Sequence, residues 1–236
     1  MDETILVLIK FRLRGSLRFL SHAETLKVFQ RGCVRAGIKI QYSQGFNPRP
    51  KLCLPLPRSV GVEVDDDLLC LRLSRDINGS QAEIDLSQIK ARLSEQLPDG
   101  FELLSVSAGL ASTEADSSFK KQGAKTLPQP ITAMYVLPVQ NQYINEELKS
   151  RIKRLLASKS LNLRRQTDPK KSKFKDVDVR PFLKSIELNN GNIVVECEIS
   201  QAGSIRVDEI LKLTELDAEK LAAPVRRTNV RWQNSE

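Results

Sequence analysis

The residues best suited to chemistry begin near the start of the chain, around one predicted helix N-terminus. Arg14, Arg18 and His22 stand where free backbone amides favour an anion such as a phosphate or a carboxylate. His22 is the only histidine of the chain, and a general base needs an orienting partner that no neighbouring Asp or Glu motif supplies. Catalysis, contact with an anion or substrate, and helix capping or packing are therefore all open for His22, which is a weak catalytic candidate.

A basic stripe follows along the same helix. Lys27, Arg31 and Arg35 recur every four residues and therefore share one helix face. Like charges at this spacing destabilise a helix by about 0.2–0.5 kcal/mol per pair. An anionic ligand would offset this cost, and carboxylates from elsewhere in the fold would do so equally.

The loop from Tyr42 to Pro50 contains aromatic rings, amides, a glycine, prolines and a cation. Its candidate RNA-binding residues, with the lysine that follows the loop, are Tyr42, Ser43, Gly45, Phe46, Asn47, Arg49 and Lys51. Proteins bind unpaired RNA bases by stacking on aromatic rings and by amide and guanidinium hydrogen bonds. The alternative is that Tyr42 and Phe46 anchor the loop on the core.

A second group of cations lies in the later part of the chain. Its candidate nucleic-acid contacts are Arg164, Arg165, Lys171, Lys173, Lys175 and Arg180. A basic hairpin arm of this kind fits phosphate contacts, which add affinity without reading sequence. A flexible solvated loop would have the same composition.

The distribution of charge supports a polyanionic partner. The chain of 236 residues has a net charge of +8, but residues 1–60 hold 11 basic and 3 acidic residues and residues 149–180 hold 12 and 3. The remaining residues sum to −9. Two positive blocks in an acidic chain attract polyanions, so nucleic acid is the leading partner class, against the ordinary alternative of solvated helix faces.

Several function classes are excluded by what the sequence lacks. The four cysteines form no CxxC pair, so we expect no zinc site, iron–sulfur cluster or other cofactor. The sequence has no Walker A, GxGxxG, HExxH or GxSxG motif, so no self-contained enzyme is signalled. Apolar runs are far shorter than the roughly 20 residues of a membrane helix, and we expect a cytoplasmic protein.

The elements that must position these residues follow from hydrophobic periodicity. The first half is predicted to contain a strand at 5–11, a helix at 22–37, strands at 51–56 and 68–74, a helix at 86–97 and a strand at 101–108. The acidic run at 65–67 is predicted to be a turn. This βαββαβ order is that of ferredoxin-like domains.

The second half is predicted to repeat that order after a linker. Its elements are a strand at 133–139, a helix at 146–156, strands at 175–188 and 193–199, a helix at 207–213 and a strand at 225–232. We therefore predict an α+β fold of two tandem ferredoxin-like halves with antiparallel sheets. The predicted domains are 1–110, a linker at 111–130, and 131–236 with the basic hairpin.

The motifs themselves resemble a known family. Residues 15–22 read GSLRFLSH and residues 42–50 read YSQGFNPRP, with Arg31 and Arg35 between them. They resemble the LRFLSHxD and YSxGFNPHP patterns of an uncharacterised bacterial family of radical-SAM-linked domains, and residues 175–181 resemble its second signature. Glu24 stands where the family usually has Asp, and Arg49 replaces a histidine, so a two-histidine site is not carried over.

This resemblance implies a partner, because family members occur beside or fused to B12-binding radical-SAM proteins. With the basic blocks, it predicts a non-catalytic accessory protein that binds tRNA or rRNA and presents it to a radical-SAM RNA-modifying enzyme. Two alternatives are open. One is a stand-alone RNA-processing or RNA-modifying enzyme using His22, and the other is a protein-only scaffold for a radical-SAM partner.

Overall fold

The computed structural model describes residues 4–74, 85–108, 127–168 and 173–233. The chain divides into two compact units, the first within Met1–Gln129 and the second Pro130–Gln233. Most of the predicted linker at 111–130 lies outside the described residues. In the described part, no helix is long and apolar enough to cross a membrane.

In its described residues, the first unit combines four strands with two α-helices. Its elements are β1 (Thr4–Leu13), α1 (His22–Arg35), β2 (Leu52–Cys53), β3 (Glu63–Ser74), α2 (Leu86–Ser94) and β4 (Phe101–Ala108). The strand order is β2, β3, β1, β4, and each of these pairings is antiparallel. A short 3₁₀ helix at Gly15–Phe19 leads from β1 towards α1.

The predicted helix α1 is confirmed, and its start has the predicted capping box. The Glu24 amide donates to Ser21 Oγ at 3.3 Å, and the Ser21 amide donates to Glu24 Oε2 at 2.8 Å. The hydrogen bond from the Ser21 hydroxyl lowers the pKa of Glu24. Two of the free amides at the helix start, those of Ser21 and Glu24, are therefore bonded by side chains of the same segment.

An aromatic cluster joins α1 to the sheet of the first unit. The ring centroids of Phe11 and Phe29 lie 4.9 Å apart, and that of Phe101 lies 5.1 Å from Phe29. A Cβ atom at Gly32 would lie 3.1 Å from Leu93 Cδ1, so the absence of a side chain lets α1 approach this leucine of α2. This packing leaves the opposite face of α1 in solvent.

The predicted acidic turn at 65–67 is wrong, because these residues lie inside β3. Strand β1 and the residue that follows it supply cations beside them. Lys10 Nζ lies 3.2 Å from Asp66, and Arg14 pairs with Asp65. Carboxylates that are compensated across a ladder can remain in a strand, and this compensation cannot be read from the acidic run itself.

The described part of the second unit, 130–168 and 173–233, contains seven strands and two α-helices. Its elements are β5 (Pro130–Pro138), α3 (Glu146–Ala157), β6 (Asn162–Asp168), β7 (Lys173–Asp178), β8 (Leu183–Asn189), β9 (Asn192–Ser200), β10 (Gly203–Ser204), α4 (Val207–Thr214) and β11 (Arg226–Trp232). Strand β9 pairs with β5, which pairs with β11; β8 and β10 pair with β9. Strands β6 and β7 form a separate two-stranded sheet.

The prediction of two tandem ferredoxin-like halves is wrong, and the chain is a mixed fold of α-helices and strands. The second unit does not follow the βαββαβ order, because β6 and β7 add a hairpin with its own sheet. The strand predicted at 175–188 is also interrupted by a 3₁₀ helix at Arg180–Phe182. Pro181 lacks an amide donor and ends the ladder there, while the polar β6 has too little apolar alternation to be recognised as a strand.

The close approach of two loops in the first unit generates a stability prediction. Gly100 has a φ of +99°, and a Cβ atom there would lie 2.8 Å from the carbonyl oxygen of Arg14. We expect Gly100→Ala to lower the free energy of unfolding by more than the roughly 1–3 kcal/mol of backbone strain alone. Urea denaturation of the full chain measures this loss.

Gly37→Ala provides the matched control. Gly37 also has a positive φ of +67°, but a Cβ atom there would meet no described atom within 4 Å. This variant should show the backbone strain without the clash. Equal losses for the two variants would contradict the proposed close approach.

Candidate nucleic-acid interface

The Tyr42–Pro50 loop is a closed hairpin that projects its middle residues into solvent. Residues Tyr42 and Pro50 form a β-bridge. The Ser43 amide donates to the Arg49 carbonyl at 2.8 Å, and the Arg49 amide donates to Ser43 Oγ at 2.9 Å. The backbone of the loop is therefore fixed at its neck, independently of any ligand.

The two aromatic rings of this loop are exposed. Phe46 is fully exposed and the exposed fraction of Tyr42 is 42%. The alternative that Phe46 anchors the loop on the core is therefore wrong. The predicted contacts Gly45, Asn47 and Arg49 are also exposed, so the same loop presents polar groups and a cation to solvent.

Two cations lie at the base of this loop. Lys51 Nζ donates to Gln41 Oε1 at 3.0 Å, and the Arg72 amide donates to the Lys51 carbonyl at 2.9 Å. Burial and the positive charge of Arg72 lower the pKa of Lys51. The two cations therefore lie close enough for the charge of Arg72 to act on Lys51, although burial is the larger cause of the lowered pKa.

The basic stripe of α1 is only partly engaged by the fold. Arg35 Nη2 donates to the Gln96 carbonyl at 2.6 Å. Lys27 and Arg31 are exposed, and neither forms an ion pair within the described ranges. Lys27 interacts electrostatically with the Glu24 carboxylate of the same helix, and both Lys27 and Arg31 present their charges to solvent, where a phosphate group can approach.

Arg14 and Arg18 have structural contacts. Arg14 pairs with Asp65 and lies 3.6 Å from Glu63, so its charge is compensated. Arg18 Nη1 donates to the Gly15 carbonyl at 2.9 Å, and its guanidinium lies 4.3 Å from the centre of the Phe19 ring. The charges of the two residues are therefore balanced differently. Carboxylates compensate the charge of Arg14, whereas the half-buried Arg18 contacts a carbonyl and an aromatic ring in the described part of the chain.

His22 is the first residue of α1. Its Nδ1 atom is buried and has no hydrogen-bond partner within the described part of the chain. No described carboxylate orients the imidazole, so the geometry does not assemble the pair that general-base catalysis needs. Across the described residues there is also no group of three His, Cys, Asp or Glu side chains that could hold a metal ion.

Arg58 is a structural residue that motif reasoning missed. Its Nη1 donates to the carbonyls of Arg18 at 2.6 Å and Val62 at 2.8 Å, and its Nη2 donates to the Leu20 carbonyl at 2.7 Å. The Gly61 amide also donates to the Arg18 carbonyl at 2.8 Å. Arg58 thus joins the GSLRFLSH segment to the loop after the prolines, and no local pattern marks this role.

The later group of predicted cations is divided between surface and interior. Arg164, Lys173 and Lys175 are exposed on the hairpin of β6 and β7, whereas Lys171 lies outside the described residues. The Arg164 guanidinium lies 4.7 Å from the centre of the half-exposed Phe174 ring on the facing strand. This hairpin therefore presents a cation and an aromatic ring together.

Arg180 and Arg165, in contrast, are engaged by the fold. Arg180 donates to the carbonyls of Leu156, Ser158 and Leu183 at 2.9, 3.0 and 2.7 Å, and so caps the end of α3. Arg165 donates to both carboxylate oxygens of Glu209 at 2.5 and 2.7 Å. Their donors are occupied, which favours structural roles for both.

The Arg165–Glu209 pair is largely buried, with 15% and 4% of the two side chains exposed. Burial by itself raises the pKa of Glu209, but the hydrogen bonds from Arg165 and from the Arg206 amide outweigh it and lower the pKa. The pKa of Arg165 is raised by its hydrogen bond to Glu209. Both groups therefore stay charged, and each depends on the other.

The chain matches the family model described as "Uncharacterized protein conserved in bacteria" (DUF2344) over residues 7–212. The chain belongs to this bacterial family, whose matched region covers both units. No curated protein matches the chain.

Because Arg165 is buried with Glu209 and Arg164 is exposed, we expect Arg165 to stabilise the fold more than Arg164 does. Arg165→Leu should leave Glu209 charged and uncompensated, which costs about 3–5 kcal/mol of the free energy of unfolding. Urea denaturation at neutral pH measures the loss. Because the pKa of Glu209 is lowered in the fold, the pair's contribution should be present above the ordinary carboxyl pKa and be lost as pH falls through the lowered value.

Arg164→Leu is the matched control on the opposite face of the same strand. Its guanidinium is exposed and pairs with the Phe174 ring, so the unfolding free energy should change by less than about 1 kcal/mol. A larger loss for Arg164→Leu than for Arg165→Leu would contradict the assigned roles.

Proposed function

We propose that this protein is a non-catalytic accessory protein of the cytoplasm that binds tRNA or rRNA and presents it to a radical-SAM RNA-modifying enzyme. The observation that carries the RNA-binding part is the exposed Phe46 ring at the tip of a closed loop with Arg49 beside it. Lys27 and Arg31 add exposed cations in the same unit. Stacking and phosphate contact are the two recurring components of single-stranded RNA binding.

The rigidity of the loop neck supports a binding role for the exposed ring. A large aromatic side chain left fully in water gains no burial on folding. The Ser43 and Arg49 contacts hold the loop closed even so, and binding therefore loses little backbone entropy. Bases splayed from a single strand provide the flat apolar faces that Tyr42 and Phe46 would cover.

The hairpin of β6 and β7 supports the same proposal in the second unit. Arg164, Lys173 and Lys175 are exposed, and Phe174 lies among them. A two-stranded ribbon with this composition suits contact with the phosphate backbone, with the ring available to a base. Each unit then contributes cations and at least one aromatic ring.

A non-catalytic role fits the surroundings of His22 better than acid–base chemistry. The helix start at His22 is capped by Ser21 and Glu24, whose carboxylate bonds to Ser21 rather than to the imidazole. Partnership with a B12-binding radical-SAM protein rests on the sequence resemblance of the GSLRFLSH and YSQGFNPRP motifs. In this scheme the partner performs the reaction.

RNA binding by the full chain should be tight and salt-dependent. We expect fluorescence anisotropy with a labelled single-stranded RNA to give a Kd of about 1 μM or less at low salt. Arg31→Gln should weaken binding and reduce the slope of log K against log salt concentration by about 0.7, the value for one lost phosphate contact. Phe46→Ala should cost about 1–3 kcal/mol of binding free energy from lost stacking.

Lys10→Gln is the control with the same change in charge. Lys10 pairs with Asp66 and lies on the sheet face opposite the buried Ile9 and Phe11, so this variant should keep the affinity and salt slope of the original chain. Absent binding, salt-independent binding or equal losses for Lys10→Gln and Arg31→Gln would each refute the RNA-binding proposal.

The radical-SAM part of the proposal has a separate test. The full chain should co-purify with a co-expressed B12-binding radical-SAM protein before and after nuclease treatment. The partner should also modify the RNA to a greater extent when the chain is present than when it is absent. Loss of the partner after nuclease treatment would show that RNA alone bridges the two proteins. Nuclease-resistant co-purification without RNA binding would favour a protein-only scaffold.

A further inference from the structure

Two cysteines of the first unit lie directly opposite each other in its sheet. Cys53 of β2 is the ladder partner of Cys70 of β3, and the two strands are antiparallel. Opposed residues of an antiparallel ladder have Cα atoms about 4.5–5.5 Å apart, within the roughly 4.4–6.8 Å that a disulfide spans. Their register therefore permits a direct bond without movement of either strand.

The side chains point to the same place as well. The thiols of Cys53 and Cys70 hydrogen-bond to each other. Both cysteines are free, and Cys53 is half-buried whereas Cys70 is buried. A small reactant can therefore reach Cys53, while Cys70 is protected but in contact with it.

The electrostatic surroundings distinguish the two sulfur atoms. The hydrogen bond from Cys70 lowers the pKa of Cys53 and outweighs the opposing effect of burial, and the positive charge of Arg72 adds a smaller lowering. The same hydrogen bond and burial raise the pKa of Cys70. Thiolate character, which determines cysteine reactivity, is thus concentrated on the accessible sulfur.

The remaining cysteines provide a comparison within the same chain. Burial raises the pKa of Cys33 to about 12, and burial with the nearby Glu196 raises that of Cys197 to about 12. Both are buried. They lack the accessibility and the favourable charge that Cys53 has.

We propose that Cys53 and Cys70 form a peroxide-reactive dithiol site that closes to a disulfide between β2 and β3. Cys53 is the attacking residue and Cys70 the resolving residue. The site takes small hydroperoxides, because only Cys53 is open to solvent. It is independent of RNA binding and requires no partner protein.

The reaction balances in two steps. The Cys53 thiolate attacks one peroxide oxygen, the O–O bond breaks, and sulfenic acid and hydroxide are formed. Cys70 sulfur then attacks the Cys53 sulfur, and the S–O bond breaks to release hydroxide, which combines with the Cys70 proton as water. Overall, two thiols lose two electrons to hydrogen peroxide, which is reduced to two waters.

The location of this bond links it to the candidate interface. Strand β2 begins two residues after Pro50, and the Lys51 carbonyl already accepts a hydrogen bond from Arg72 of β3. A disulfide between Cys53, the residue after Leu52, and Cys70 would link the downstream arm of the Tyr42–Pro50 loop covalently to β3. Oxidation would then narrow the range of positions that this loop can adopt.

Mass spectrometry of the folded full chain tests the proposal. The protein is exposed to hydrogen peroxide, quenched with catalase, unfolded and alkylated with N-ethylmaleimide. We expect a Cys53–Cys70 disulfide peptide with neither cysteine alkylated, while Cys33 and Cys197 are alkylated. The disulfide should form roughly tenfold or more faster than any oxidation of Cys33 and Cys197.

Two single variants assign the roles of the sulfur atoms. In Cys70→Ser, sulfenic acid should persist at Cys53 and be captured by dimedone. In Cys53→Ser, Cys70 should stay a thiol at the same peroxide exposure. Circular dichroism confirms that each variant is folded, and Cys70→Ala replaces Cys70→Ser if the serine variant is not.

Several results would overturn the proposal. Full alkylation of Cys53 and Cys70 in the original chain, at an exposure that gives sulfenic acid in Cys70→Ser, would show that the pair does not close. Oxidation of Cys33 or Cys197 at the rate of Cys53 would show that the site has no special reactivity. Neither result depends on whether the protein binds RNA.

Discussion

The guanidinium of Arg58 donates to the backbone carbonyls of Arg18, Leu20 and Val62, and these hydrogen bonds fix the course of two loops. One loop leads from the 3₁₀ helix at Gly15–Phe19 into α1, and the other leads from the prolines into β3. The same group thus holds the segment that leads into α1 against the segment that leads into β3.

The groups that contact each cation distinguish the structural cations from those exposed on the surface. Arg14, Arg165 and Arg180 are each held by carboxylates or carbonyls. Lys27, Arg31 and Arg164 are exposed, and Arg164 contacts only an aromatic ring among the contacts described above. Net charge by segment therefore overstates the number of cations available for a polyanion.

Local features of the fold could be predicted from the sequence, and long-range ones could not. The start of α1 follows from Ser21 and Glu24, whose contacts are three residues apart and leave a sequence signature. The strand position of Asp65 and Asp66 depends on Arg14 and Lys10, more than fifty residues away. The basic hairpin is among the predicted features, but strand β6 is not among the predicted strands, for a related reason: its Arg165 is stabilised by Glu209 in a later helix.

The residues of the candidate site also divide into features that could be predicted from the sequence and features that could not. The exposure of Phe46 and the closed neck of its loop agree with the loop composition, but composition alone is equally compatible with a buried ring. Arg58 carries no motif of its own, and Arg165 differs from its neighbour Arg164 only by the strand face on which it lies. Alternation along a strand can be recognised only once the strand itself has been recognised.

The missing side chain at Gly32 also determines the direction in which the cations of α1 point. With Leu93 Cδ1 and Leu97 Cδ2 only 3.1 and 3.3 Å from where its Cβ atom would be, a larger residue would have to displace these leucine side chains or the helix itself. A helix displaced in this way would roll about its long axis, because Phe29 is held against Phe11. A roll of this kind would swing Lys27 and Arg31 through an arc, so the smallest residue of the helix governs where its longest side chains reach.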